Sequence, residues 1–214
     1  VSEGFKFDAI YTGYLGSKEQ VDIVSEYFST FGNSHNYIVV DPAMADNGKM
    51  YTGFTKDFAI TMSRLCSKAD IILPNISEAC FMLNRDYVGE DAPLPVIKEL
   101  LTDLIKLGSK YAVITGVKLP DGKLGFIGYD SSSQEFFMYG TDEVPIKSHG
   151  TGDVFASTFT GALMNDFSVF DSLKIAADFT CLCIQDTYTD PDAVDYAVNF
   201  ETQIPNLLKM INNV

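Results

Sequence analysis

The chain has 214 residues, 46% hydrophobic, 13% aromatic and 21% charged, the make-up of a globular protein with room for a sizeable core. Its 15 Lys and Arg stand against 29 Asp and Glu, and the net charge of −14 repels phosphate backbones and argues against a role on nucleic acid. No apolar run approaches the roughly 20 residues that cross a bilayer, and the opening Val1-Ser2-Glu3-Gly4 is neither an initiator Met nor a signal, so the expectation is a soluble, cytoplasmic protein whose natural beginning is missing.

Phe7 to Tyr11 is a short apolar run read as a strand, and an amphipathic stretch from Ser17 to Phe31 breaks at Gly32-Asn33. Tyr37 to Val40 is continuously apolar and ends at Asp41-Pro42, the profile of a buried parallel strand. A glycine-containing loop follows, then a helix from Thr55 to Cys66 and a strand from Asp70 to Leu73 stopped by Pro74. Ser77 to Leu83 begins a helix with Ser77 as its N-cap, and another pattern runs from Pro95 to Leu107 and stops at Gly108. Tyr111 to Thr115 is the next buried strand; Asp121-Gly122 turns into the strand Lys123 to Tyr129, and Ser131 to Ser133 turns into Glu135 to Tyr139 and then Val144 to Lys147. The remainder reads as helical: Asp153 to Met164, Val169 to Thr187, and a segment after Pro191 ending near Ile211.

Short parallel-type strands alternating with helices predict a doubly wound α/β fold, mostly parallel, with antiparallel edge strands and no linker that divides it. Cys66, Cys80, Cys181 and Cys183 show no CxxC pairing and read as reduced, buried thiols. No GxGxxG follows a strand, which excludes a dinucleotide-binding Rossmann unit, and Gly116 to Lys123 has the wrong spacing for a P-loop, with Leu124 where Ser or Thr belongs.

Four segments at strand ends or helix starts carry candidate chemistry, the place where open α/β sheets bind ligands. In His149-Gly150-Thr151-Gly152-Asp153, two glycines let a ligand approach backbone N–H groups at a helix N-terminus. Such a nest suits the charge on a phosphoryl group in transfer, and Asp153 is placed to take a proton from an attacking hydroxyl; a turn with an acidic cap is the plainer reading. Asp41-Pro42-Ala43-Met44-Ala45-Asp46-Asn47-Gly48-Lys49-Met50-Tyr51 puts two carboxylates five apart after a buried strand, able to face phosphates through cations, or forming an ordinary turn-rich loop. Asn75 and Glu78, three apart at a helix start, can share a magnesium ion or its waters, and equally fit a capping box. Thr115-Gly116 ends a strand with a hydroxyl where a phosphate could lie.

Together these segments resemble the pyridoxal/pyridoxamine kinases of the ribokinase-like superfamily. DPAMADNGKMYTGF looks like that family's DPVMGD…G-x-x-Y segment, LPNISEA its TPNxxEA segment, and GTGD with VFASTFTGAL the superfamily signature around the catalytic aspartate. YTGYLGSKEQV at positions 11 to 21 and YAVNFE at 196 to 201 are similar as well. The resemblance implies one ribokinase-like kinase domain over residues 1–214 that transfers phosphate from ATP to the 5′-hydroxymethyl group of pyridoxal, pyridoxine or pyridoxamine. It implies Asp153 as the base, with Gly150, Thr151 and Gly152 as the anion hole. Asn75, Glu78 and Asp46 would hold Mg²⁺ largely through water, Asp41 and Asp46 would lie beside the triphosphate, and Thr115 would touch a phosphate or a monovalent cation such as K⁺. Tyr51 would lie near the nucleotide, Tyr14 near the pyridine ring, and Val144 and Ile146 at the adenine. A homodimer is the implied assembly.

Two departures stand out. Leu73 replaces the threonine many members carry before Pro-Asn, and nothing in the first residues resembles the family's opening strand, helix and lid. The alternatives are a hydroxymethylpyrimidine (phosphate) kinase of the same superfamily, against which the DNGKMY continuation argues, and a catalytically impaired piece that only binds nucleotide or serves as a scaffold.

Overall fold

Tyr37–Val40 forms a strand over the whole of its unbroken apolar run, with its last three residues buried. The computed structural model describes residues 4–146, 148–194 and 196–212. In chain order its elements are β1 (Ala9–Thr12), α1 (Lys18–Phe31), β2 (Tyr37–Val40), β3 (Ala45–Asp46), β4 (Lys49–Met50), α2 (Lys56–Cys66), β5 (Ile71–Ile72) and α3 (Ile76–Met82). Then come α4 (Leu94–Ile105), β6 (Tyr111–Lys118), β7 (Leu124–Asp130), β8 (Glu135–Thr141), α5 (Thr151–Leu163), α6 (Val169–Thr189), a 3₁₀ turn (Glu201–Gln203) and α7 (Ile204–Asn212). Six strands make one sheet in the order β1-β2-β5-β6-β7-β8, and β3 and β4 form a separate antiparallel pair. β1, β2, β5 and β6 are mutually parallel, with Thr12 opposite Val40, Val40 opposite Ile72, and Ile72 opposite Ala112. This is the helix-flanked, mostly parallel α/β sheet that the alternating pattern predicts.

The chain packs as two compact units, Val1–Pro120 with Phe126–Met138, and Asp121–Gly125 with Tyr139–Val214. In the first, α4 turns Ile97, Leu100, Leu101 and Leu104 inward, the three-to-four spacing of a helix face, and each is fully buried. They share a core with Met62 and Leu65 of α2 and with Val40, Ile72, Ala112 and Ile114 of the sheet. Burying each such side chain stabilises the fold by about 1.5–3 kcal/mol.

In the second unit, α5 packs along α6, and Phe179, Cys183 and Val198 form a small core that Val154, Ile184, Leu207 and Met210 cover. The loop carrying Val198 is tied to α6 by polar links. The Asn199 N–H donates to Thr187 Oγ1 at 2.8 Å, and that hydroxyl donates to the Cys183 carbonyl at 2.7 Å.

Several elements differ from the expectations. Val144 to Ile146 is no strand: Pro145 has no N–H to give a ladder, and the Ile146 N–H turns back to the Val144 carbonyl at 2.8 Å; Lys147 lies outside the described residues. Among the described residues, the segment after Pro191 is not helical until Glu201, because Asp190 and Pro191 open a turn in which the Asp192 N–H donates to the Asp190 carboxylate at 2.9 Å. The loop after Asp41 contains the β3–β4 hairpin. Asn47 (φ 51°) and Gly48 (φ 72°) both take positive φ, as a type I′ turn demands. All four cysteines are free thiols, but Cys181 is only half-buried. No helix among the described residues is long and apolar enough to cross a membrane.

Candidate active site

Parallel strands release their chains at one end, and the candidate residues of the first unit follow those ends. Tyr14 follows β1, Asp41 follows β2, Asn75 follows β5, and Thr115 lies in β6, where it makes a parallel bridge to Asn75. The Thr115 N–H donates to the Pro74 carbonyl at 3.0 Å, which sets Asn75 beside the half-buried threonine.

Asn75 rather than Ser77 is the N-cap of α3, and the capping box is complete. Its Oδ1 accepts the Glu78 N–H at 2.9 Å while Glu78 Oε2 accepts the Asn75 N–H at 2.8 Å. The same two side chains reach the loop after β2. Asn75 Nδ2 donates to the Ala45 carbonyl at 2.8 Å, and Glu78 Oε1 accepts from the Met44 N–H at 3.0 Å and, more weakly, from the Ala45 N–H at 3.4 Å.

Glu78 is only 2% exposed and Asp41 8%. Burial pushes the Glu78 carboxyl well above the usual carboxylate range, the nearby Asp41 charge pushes it further, and the three backbone N–H donors oppose both. The Cys66 thiol, buried in the same surroundings, is also raised, first by desolvation and then by Glu78 and Asp41. Two carboxylates held together in a dry place form a field that a cation would relieve.

Among the described residues, no three His, Cys, Asp or Glu side chains cluster tightly enough to enclose a metal ion on their own. Glu78 retains room for one more contact, since a carboxylate offers about four acceptor sites and the backbone uses three. Asp46 lies outside the buried pair: it is exposed, and its Oδ2 accepts from Asn47 Nδ2 at 2.6 Å.

Tyr51 is 42% exposed, and its N–H donates to the Met44 carbonyl at 2.9 Å, which ties the residues after the hairpin to those before it. Tyr14, 59% exposed, begins an aromatic series: its ring lies 5.5 Å from Phe54, which stacks on Phe58 at 4.1 Å.

The second unit holds the His149–Asp153 segment, Val144 and Ile146. Gly150 is the N-cap of α5, in the left-handed region (φ 78°, ψ 1°), and no side chain caps the helix. A Cβ there would meet nothing among the described residues within 4 Å, so the space beside Gly150 itself is open. Thr151 is half-buried, and Gly152 and Asp153 are exposed in the first turn. Val144 and Ile146 are both half-buried. The Ser148 hydroxyl just before this loop is buried without a hydrogen-bond partner among the described residues.

Sequence reasoning missed the hairpin's supports. Ser77 Oγ accepts the Gly48 N–H at 2.8 Å, and the Tyr87 ring packs on Gly48. The Asn-Gly pair was the available signal for the turn.

The phosphomethylpyrimidine kinase family model matches residues 1–195. A structure, with pyridoxal, assigned as a phosphomethylpyrimidine kinase of Bacteroides thetaiotaomicron is 33% identical, with TM-score 0.89, over 96% of this chain and 72% of that one. The pyridoxal kinase of Staphylococcus aureus in complex with AMP-PCP and pyridoxal is 26% identical, with TM-score 0.73, over 90% of this chain and 66% of that one. The thiamine biosynthetic bifunctional enzyme TH1 of Arabidopsis thaliana is 28% identical over 84% of this chain, which spans 33% of that enzyme's length. On sequence, fold and match alike, this chain belongs to the phosphomethylpyrimidine kinase family and has the ribokinase-like fold of the pyridoxal kinases.

Proposed function

We propose that the protein transfers the γ-phosphoryl group of ATP to the 5′-hydroxymethyl group of a vitamin B6 compound: pyridoxal, pyridoxine or pyridoxamine. The observation that carries this reading is the start of α5, where Gly150 opens an uncapped helix and leaves Asp153 exposed one turn in. In this reading Asp153 accepts the hydroxymethyl proton as the oxygen attacks the γ-phosphorus and the bond to ADP breaks in line. The backbone of Gly150, Thr151 and Gly152 takes the charge that builds on the phosphoryl oxygens.

Asn75, Glu78 and Asp46 would hold Mg²⁺ through water, and Mg²⁺ would neutralise charge on the β- and γ-phosphates. Asp41 would act on the same cations, and Thr115 would meet a phosphate or a K⁺ ion. Tyr51 would lie beside the nucleotide, Val144 and Ile146 beside its adenine, and Tyr14 against the pyridine ring. Residence in the cytoplasm and assembly as a homodimer belong to the same reading. The exposed Phe5 and Phe7 before the edge strand β1, and Tyr27 of α1, are the apolar surface that supports a dimer.

The pyridoxal in the Bacteroides structure and the AMP-PCP and pyridoxal in the Staphylococcus structure support this substrate pair. The family description and the thiamine-pathway relative favour a second reading, phosphorylation of hydroxymethylpyrimidine or its phosphate. Phosphorylation assays with Mg-ATP decide between them: a B6 compound should be turned over with a kcat/KM at least tenfold above hydroxymethylpyrimidine. The reverse preference overturns the first reading. Nucleotide binding with no turnover of either makes this chain an impaired piece.

A further inference from the structure

The β3–β4 hairpin carries Asp46 and leads into Tyr51, so its position decides what those side chains can meet. On one side its backbone is fixed by Glu78 and Asn75, which bind Met44 and Ala45. The turn itself is gripped separately. Ser77, between those two residues in the same helical turn and 2% exposed, accepts the Gly48 N–H on Oγ at 2.8 Å. The half-buried Tyr87 lays its ring on the same glycine: a Cβ on Gly48 would come within 2.5 Å of Tyr87 Cδ1 and 2.9 Å of Cγ. The Ser77 hydroxyl also acts on the Tyr87 phenol, and the Asp46 charge reaches it too.

From this geometry we propose that Ser77 and Tyr87 are positioning residues that clasp Gly48 and hold the hairpin where it presents Asp46 and Tyr51 to the nucleotide. The inference rests on the ATP site proposed above. A two-residue I′ turn joining strands of two residues each has little rigidity of its own, because an isolated hairpin is marginal in water. Without the clasp, the hairpin spends part of its time displaced. Nucleotide then binds only the fraction still in place, and apparent affinity falls by that fraction. The glycine is needed twice over, for its positive φ and for the flat approach of the ring.

Three variants test the clasp: Tyr87→Ala, Ser77→Ala and the conservative Tyr87→Phe. Amide exchange of residues 44–51, followed by mass spectrometry, reads the hairpin without any assumption about function, and calorimetry with Mg-ATP reads the consequence. Both alanine variants should speed exchange across residues 44–51 while leaving β2 and α4 as protected as before. They should also raise the Kd for Mg-ATP by about 5- to 10-fold. Tyr87→Phe keeps the ring on Gly48 and should stay within about twofold of the parent in both readouts. Unchanged exchange in both alanine variants overturns the clasp. Faster exchange with undiminished ATP affinity overturns its positioning role. A parent protein that binds no Mg-ATP overturns the functional reading and the positioning role with it, while the exchange data still decide whether the clasp holds the turn.

Discussion

The starts of α3 and α5 both carry an acidic residue in the first turn, yet they are built in opposite ways. At α3 the side chains are engaged within the protein: Asn75 caps the helix, Glu78 returns the cap, and both also brace the backbone of Met44 and Ala45. At α5 a left-handed glycine takes the cap position, no side chain follows it, and Asp153 stands in solvent. A buried carboxylate with three backbone donors is held in place before any ligand arrives. An exposed one above bare N–H groups is available to react. On the proposed function the first is scaffolding and the second the proton acceptor, and the contrast can be broken by separating stability from turnover.

The largest expected effect is at Asp153. Asp153→Asn should lower turnover of the preferred substrate by about 10²- to 10⁴-fold, the worth of a positioned general base. Mg-ATP affinity should hardly change, because proton transfer belongs to the transition state alone. Removing an exposed first-turn charge should cost at most about 1 kcal/mol of stability. Turnover and melting temperature measured on the same variant decide it, and undiminished turnover in a destabilised protein would make Asp153 a simple cap.

Glu78 should behave the other way round. Glu78→Gln replaces an acceptor oxygen by an N–H₂ group facing backbone N–H donors, which should cost about 2 kcal/mol, or about 4–8 °C in melting temperature for a chain of this size. It should also raise the magnesium concentration needed for half-maximal ATP binding. A variant that melts like the parent would show that the brace contributes nothing, and the contrast with α5 would fall.

The sheet was legible because its strands are buried on both faces and so read as unbroken apolar runs, as at Tyr37–Val40. Helix faces were legible for the same reason, Ile97 to Leu104 being one inward stripe. What escaped was set by contacts between residues distant in the chain. The spacing of Asn75 and Glu78 fits both a capping box and a cation pair, and only the 34-residue reach from Glu78 back to Met44 displays the brace. Tyr87 carries no signal in its own neighbourhood, because its partner is a glycine 39 residues earlier. Val144 and Ile146 misled as a strand since alternation says nothing of the N–H that Pro145 lacks. The GTGD loop, by contrast, was visible as a string because its glycines serve the backbone locally.

Two glycines sharpen the comparison at smaller scale. Gly48 and Gly150 both have positive φ, so alanine at either costs about 1–2 kcal/mol from conformation alone. At Gly150 the added methyl meets open space, whereas at Gly48 it runs into the Tyr87 ring at 2.5 Å. Gly48→Ala should therefore lose a further 1–3 kcal/mol or so from overpacking. Equal melting temperatures for the two variants would mean that the ring moves aside freely.

The smallest effect separates the two units by pH. In the first, the Lys106 hydrogen bond, with Arg85 adding its charge, holds the Asp103 carboxyl below its usual range, while slight burial works against them. A lowered carboxylate stabilises the fold at pH values above its unfolded pKa, and that contribution disappears as pH falls through the folded one, so Asp103 belongs to the acid edge. In the second unit, the hydrogen bond to Asp178 at 2.6 Å raises Lys174, with burial opposing it, and Tyr139 donates to the same carboxylate at 2.7 Å. A raised lysine stabilises at pH values below its unfolded pKa and loses that contribution as pH rises through the folded one, so Lys174 belongs to the alkaline edge. Both groups are partly solvated, with the Asp103 side chain 19% and the Lys174 side chain 44% exposed, and each effect should stay below about 1 kcal/mol after screening. Asp103→Asn should flatten the stability profile below about pH 4 and leave the alkaline side alone, and Lys174→Met should flatten it above about pH 10 and leave the acid side alone. Chemical denaturation across pH in low salt reads both slopes. If Lys174→Met altered the acid edge and left the alkaline one unchanged, the assignment of Lys174 to the alkaline edge would fall.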